Sequence, residues 1–191
     1  DSNEKNFTPD LVKGFDAIAF AGPGVVPGSF GAPEDSPAII ARFGVGYDNI
    51  DVSFARQNDI EVTNTPDVLT DETADTAMGL LLNTIREFSK AEAYLRAGHW
   101  LQKPYRLSAS LRGRTMGIVG LGRIGKAIAK RAEPFGLRIV YHGRHHQTDM
   151  PYEYYPSLVD MARAVDILMI VAPGGPQTRH MINAQILQAL G

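Results

Sequence analysis

Three glycines and one arginine carry most of the chemistry legible in this sequence. Gly120, Gly122 and Gly125 stand in the run Gly120-Leu121-Gly122-Arg123-Ile124-Gly125. An apolar run (Met116, Ile118, Val119) precedes it, and a helical pattern (Ile128, Ala129, Ala132) follows. In a strand–turn–helix each glycine has its own task. The first permits a tight turn, the second lets the backbone approach a pyrophosphate, and the third lets the helix pack closely on the strand. The N–H groups that open the helix then face the phosphates. Dinucleotide binding is the chemistry expected.

The second strand decides which dinucleotide. An NAD site places Asp or Glu at that strand's end, about 20 residues past the glycines, to bind the ribose 2′-OH. Here the strand reads LRIVYHGR, and the expected position is Gly143. No carboxylate occurs between Glu133 and Asp149; the chain instead continues His142-Gly143-Arg144-His145-His146. Without an anion nothing repels a 2′-phosphate, and the Arg144 guanidinium can hold one through two hydrogen bonds. The histidines add charge when protonated. NADP is therefore expected ahead of NAD, the bland alternative being a solvated basic loop.

The elements that position these residues follow from the patterning. Strands are expected at 15–20 (FDAIAF), 38–43 (AIIARF) and 60–62, with a short helix at about 52–58 and an irregular, Pro- and Gly-rich crossover at 25–37. Strand–turn–helix repetition implies a parallel sheet and an α/β fold. From about 71 to 97 the pattern is helical. Thr70 or Asp71 can cap it, and the broad apolar face from Ala77 to Phe88 suits burial on more than one side. Gly98-His99-Trp100 and the polar segment to Arg112 read as a linker, which puts a domain boundary at residues 98–99. Beyond it come strands at 114–119, 137–142 and 166–171, and helices at 124–135, 156–164 and 184–190. Three parallel strands are half of a dinucleotide-binding domain, so a further strand is expected after Gly191.

Composition excludes several classes. The 191 residues are 44% hydrophobic and 21% charged, with a formal net charge of -2 and no long run of one sign, so neither nucleic acid nor an anionic membrane is an expected partner. Zero cysteines exclude a disulfide scaffold and a thiolate metal site and fit a reducing, cytoplasmic compartment. The pair His145-His146 has no carboxylate at a ligand spacing, so no metal is expected. The opening DSNEKNFTPD is polar and lacks a starting methionine, which suggests a trimmed or partial N-terminus.

Four segments in order carry a resemblance: FGVGYDNID at 43–51, NTPDVLTDETADTAMGLLL at 64–82, LRGRTMGIVGLGRIG at 111–125 and APGGPQTRHMIN at 172–183. Together they resemble the D-isomer-specific 2-hydroxyacid dehydrogenases, and the NTPDVLT run and HGR ending are similar to the glyoxylate/hydroxypyruvate reductase branch. The resemblance implies a flavodoxin-like substrate domain and a Rossmann-type doubly wound parallel sheet, both incomplete in this chain, with a long helix crossing between them. It implies backbone N–H groups of Val45 and Gly46 on the substrate carboxylate, and Thr76 near the nicotinamide-side phosphate. Leu121, Gly122, Arg123 and Ile124 would surround the pyrophosphate, and Ala172, Pro173 and Thr178 would run past the adenosine ribose.

By the same resemblance the reaction is hydride transfer between a nicotinamide and a small 2-oxo acid in a homodimeric enzyme. The family's arginine, glutamate and histidine correspond to positions beyond Gly191. None of the five histidines present lies in the Pro-His-x-Gly setting of the family's acid, so no catalytic residue is assigned and these residues alone are expected not to turn over. Phosphoglycerate, formate and phosphite dehydrogenases share the expected fold but call for an acid at position 143. A non-catalytic nucleotide-sensing relative is the alternative outside the enzymes.

Overall fold

The computed structural model describes residues 6–31 and 35–191. The first five residues of the polar opening, and residues 32–34 of the crossover, lie outside the described residues. The chain forms two compact units, residues 1–69 and 70–191.

The first unit runs α1 (Pro9–Val12), β1 (Ala17–Phe20), β2 (Ile39–Arg42), α2 (Val52–Gln57) and β3 (Glu61–Thr63). Its three strands are parallel in the order β1-β2-β3. Phe20, Val25, Ile40, Ile50, Ala55 and Ile60 form its core. α2 begins where the Asp51 carboxylate accepts the Phe54 N–H at 2.9 Å, an N-cap that satisfies one of the donors a helix start leaves open. The crossover is anchored despite its prolines and glycines. Val25 bridges Ile50, and the Oγ of fully buried Ser29 accepts the Val26 N–H at 3.0 Å.

The second unit runs α3 (Thr70–Arg86), α4 (Phe88–Arg96), β4 (Thr115–Val119), α5 (Arg123–Ala132), β5 (Arg138–His142), β6 (Glu153–Tyr154), α6 (Leu158–Ala164), β7 (Ile167–Ile170) and α7 (Ala184–Leu190). Its sheet is parallel in the order β6-β5-β4-β7. β6 is the strand that patterning misses. Its two residues, paired with Val140 and Tyr141, are too few to show a period. Its presence on the far side of β5 leaves β7 alone beside β4. The strand order therefore reverses between β4 and β7, the place where open α/β sheets bind ligands at their carboxyl ends.

The helix expected over 71–97 is two helices. Glu87 separates them in the left-handed region, at φ 55°. No glycine or proline marks the break; side chains hold it. Asn83 Oδ1 accepts both the N–H and the hydroxyl of Ser89 at 3.0 Å, while the Glu87 carboxylate pairs with Arg106 and accepts the Tyr105 hydroxyl at 3.2 Å. The apolar face divides accordingly. Ala74, Met78 and Leu81 are buried with Ile128, Ala129 and Ala132 of α5, whereas Leu80 and Phe88 are more than half exposed.

Ion pairing reinforces the contact between α3 and α5. Arg131 donates to Asp75 and, at 2.8 Å, to Asp71 one turn away. Hydrogen bonds to Asp75 and then Asp71 raise the proton affinity of that guanidinium further above its ordinary value. By packing, α3 and α4 thus group with residues 70–191, whereas the sequence reading draws the boundary at 98–99.

Candidate functional site

The site is built at the end of β4. There the chain turns at Gly120 with φ +98°, and a Cβ would lie 3.0 Å from both Cα and N of Ala172. Glycine is required on both counts. In the first turn of α5, a Cβ on Gly125 would lie 2.3 Å from the Gly120 carbonyl oxygen, so only a bare Cα lets the helix sit this close. Gly122 differs. Nothing lies within 4 Å of its Cβ position, it lines a cleft, and no side chain caps the helix it opens. Two glycines are thus forced by protein atoms, and the third faces open space.

The cleft measures about 1040 Å³ and lies at the carboxyl ends of β4, β5 and β7. Residues 120–122, 142–145 and 171–178 form its walls. Of the residues singled out from sequence, Gly120, Leu121, Gly122, Gly143, Arg144, Ala172, Pro173 and Thr178 line it. Arg123, Ile124 and Gly125 stand at the start of α5 outside the lining, with Ile124 packed on the core and Gly125 buried. Thr76 sits exposed on α3, also outside the lining. Val45 and Gly46 belong to the first unit.

The lining contains no Asp, Glu or Lys. Its ionisable groups are Arg144, His142, His145 and Tyr154. Arg144 is exposed and makes no hydrogen bond or ion pair among the described residues. His142 Nδ1 lies 2.8 Å from the Tyr155 carbonyl, which can only accept, so Nδ1 donates. Beside it, nothing fills the Cβ position of Gly143, whose carbonyl accepts the Tyr154 hydroxyl at 3.2 Å. The Tyr154 ring in turn stacks on His146 at 5.2 Å and 12°.

Sequence reasoning missed Gln147, Tyr154, Pro156 and Met181 of the lining. Gln147 holds the glycine turn, its Nε2 donating to the Leu121 carbonyl at 2.8 Å while its backbone N–H donates to the buried Tyr141 hydroxyl at 2.7 Å. No motif announces it. Tyr154 belongs to β6 and shares that strand's weak signal. The far wall is closed by Thr178, whose hydroxyl donates to the Pro173 carbonyl at 2.7 Å.

In the first unit, three side chains brace the turn after β2. Arg42 Nε donates to the Gly46 carbonyl at 3.1 Å, and Asn64 Nδ2 to the Val45 carbonyl at 2.9 Å. Thr65 Oγ1 accepts the Gly44 N–H at 3.0 Å. The N–H groups of Val45 and Gly46 make no hydrogen bond among the described residues. A pair of adjacent amides held this way can receive an anion.

The two kinds of glycine separate in mutants. Gly125→Ala should lower stability by about 1–3 kcal/mol through overpacking against backbone. Gly122→Ala should leave the thermal midpoint of the free chain unchanged yet weaken dinucleotide binding. Calorimetric melting with and without NADPH checks both; equal melting losses for the two variants would contradict the assignment.

Comparison with known proteins agrees with this architecture. Residues 78–191 match the family described as D-isomer specific 2-hydroxyacid dehydrogenase, NAD binding domain. A crystal structure of an NADPH-dependent glyoxylate/hydroxypyruvate reductase from Sinorhizobium meliloti, in complex with NADP and malonate, superimposes with a TM-score of 0.83. It is 50% identical, over 92% of this chain and 55% of that one. Glyoxylate/hydroxypyruvate reductase A of Arabidopsis thaliana is 46% identical over 80% of this chain and 49% of its own length. The glyoxylate reductase of Pyrococcus horikoshii is 42% identical over 80% and 48%. The chain spans about half the length of the curated relatives it matches. It belongs to the D-isomer-specific 2-hydroxyacid dehydrogenase family, whose NAD-binding domain its second unit carries.

Proposed function

We propose that this chain serves the NADPH-dependent reduction of small 2-oxo acids, glyoxylate and hydroxypyruvate among them, to 2-hydroxy acids. The observation that carries the cofactor preference is Arg144 at the carboxyl end of β5, without a partner among the described residues, in a cleft whose lining has no carboxylate. The NADPH-dependent reductase from Sinorhizobium meliloti, 50% identical, supports the same reading. The residues fit the group. Gly122 offers room for a pyrophosphate over the uncapped start of α5, Gly143 leaves the ribose space a side chain would fill, and Arg144 supplies the charge for a 2′-phosphate.

When bound, the nicotinamide supplies the hydride. The chain's own part is to hold the two reactants. The glycine turn and residues 172–178 form the walls for the dinucleotide, and the Val45 and Gly46 amides receive the substrate carboxylate. Proton delivery is assigned to none of the five histidines. His142 and His145 line the cleft, His146 stacks on Tyr154, and His99 and His180 lie outside the lining. This chain by itself is expected to bind the cofactor without turnover, so binding is the informative readout.

Arg144→Ala should raise the Kd for NADPH about 10- to 100-fold, the equivalent of one or two charge-assisted hydrogen bonds. The Kd for NADH should stay within about twofold, both followed by fluorescence titration. Equal effects on the two cofactors would sink the assignment. The reading also includes a homodimer, supported by the exposed Leu80, Phe88, Leu95, Trp100 and Leu101 of the second unit. Light scattering should give twice the 20.8 kDa chain mass, and a monomer would count against it.

A further inference from the structure

We propose that His142 is a proton-carrying recognition residue for the cofactor's 2′-phosphate, taking up one proton at Nε2 as that phosphate binds. The inference rests on the NADP reading above and goes beyond it by naming a second group and its protonation state. His142 ends β5 and lines the cleft two residues before Arg144. Its Nδ1–H is committed to the Tyr155 carbonyl at 2.8 Å. In the neutral ring the lone pair therefore sits on Nε2, and Nε2 can only accept. A phosphate oxygen beside it is also an acceptor at neutral pH. The two make a hydrogen bond only when Nε2 gains a proton from solvent and donates it.

The surroundings couple that proton to the ligand. From its own strand end, Arg144 and His145 border the cleft, and from β6 the Tyr154 phenol does. The other lining residues, 119–122, Gln147, Pro156, 171–178 and Met181, carry no charged side chain. The lining thus carries an arginine and no carboxylate. A bound phosphate dianion reverses the sign of the local field. The free phosphate has its second ionisation near pH 6, so it is already a dianion at pH 7.5 and its own titration does not supply the uptake.

The test is calorimetric titration of the chain with NADPH and NADH at pH 7.5, in buffers of different ionisation enthalpy. NADPH should take up about 0.3–1 proton and NADH none, histidine being the side chain that changes charge in this range. His142→Asn, whose amide N–H can keep the bond to the Tyr155 carbonyl, should abolish the uptake. It should also weaken NADPH about tenfold, the size of one hydrogen bond to a charged group, and leave NADH unchanged. His145→Asn should retain the uptake. A preference for NADPH without proton uptake, or an uptake that survives in His142→Asn, overturns this inference and leaves the NADP reading standing. Equal affinity for NADPH and NADH overturns the reading beneath it. Nitrogen-15 spectra of the wild-type imidazole with 2′,5′-ADP at pH 7.5 give the same answer without a variant. A ring protonated at both nitrogens supports the proposal, and a neutral ring contradicts it.

Discussion

The second unit depends on one close approach, that of the α5 backbone at Gly125 to the Gly120 carbonyl. A methyl group at residue 125 would lie 2.3 Å from that oxygen, so the helix takes its position because a side chain is missing. This contact fixes where α5 starts, and the start of α5 fixes where Gly122 and the uncapped first turn face. The buried face of α5 then sets α3, through Ile128, Ala129 and Ala132 against Ala74, Met78 and Leu81. Arg131 locks the pair by bridging Asp71 and Asp75. Helix–helix packing and the ligand cleft thus share one steric origin.

Around the cleft the decisive feature is electrostatic. A carboxylate at residue 143 would serve a ribose hydroxyl and repel a phosphate. Glycine stands there, its Cβ position is open, and the side chains of the lining able to carry positive charge are an arginine and two histidines. Neutral contacts hold the His142 ring and the peptide beside it. Tyr155 fixes the His142 ring through its carbonyl, and Tyr154 fixes the Gly143 peptide through its hydroxyl. Among the described residues no carboxylate pairs with Arg144, which is the condition under which an anionic ligand gains most.

Much of this was legible in the sequence because the causes are local. Glycine spacing, the apolar strand of β4 and the missing acid after β5 are all read within about 30 residues of one another. What escaped reading is held by long-range or side-chain-specific contacts. β6 is two residues long and exists because Val140 and Tyr141 offer it an edge. The break at Glu87 is stabilised by Asn83, Tyr105 and Arg106, none of which is a helix breaker. Gln147 supports the glycine turn from 26 residues away in sequence, in a loop with no pattern. The grouping of α3 with α5 likewise follows from shared burial, which a helical period cannot assign to one neighbour or another.

We propose that the cleft beside the glycine turn holds NADP through its 2′-phosphate. A crystal structure of the chain grown with NADPH tests it most directly. The pyrophosphate is expected over Gly122, and the 2′-phosphate against the Arg144 guanidinium and the His142 ring. A dinucleotide whose 2′-phosphate points to solvent, away from both side chains, would contradict it.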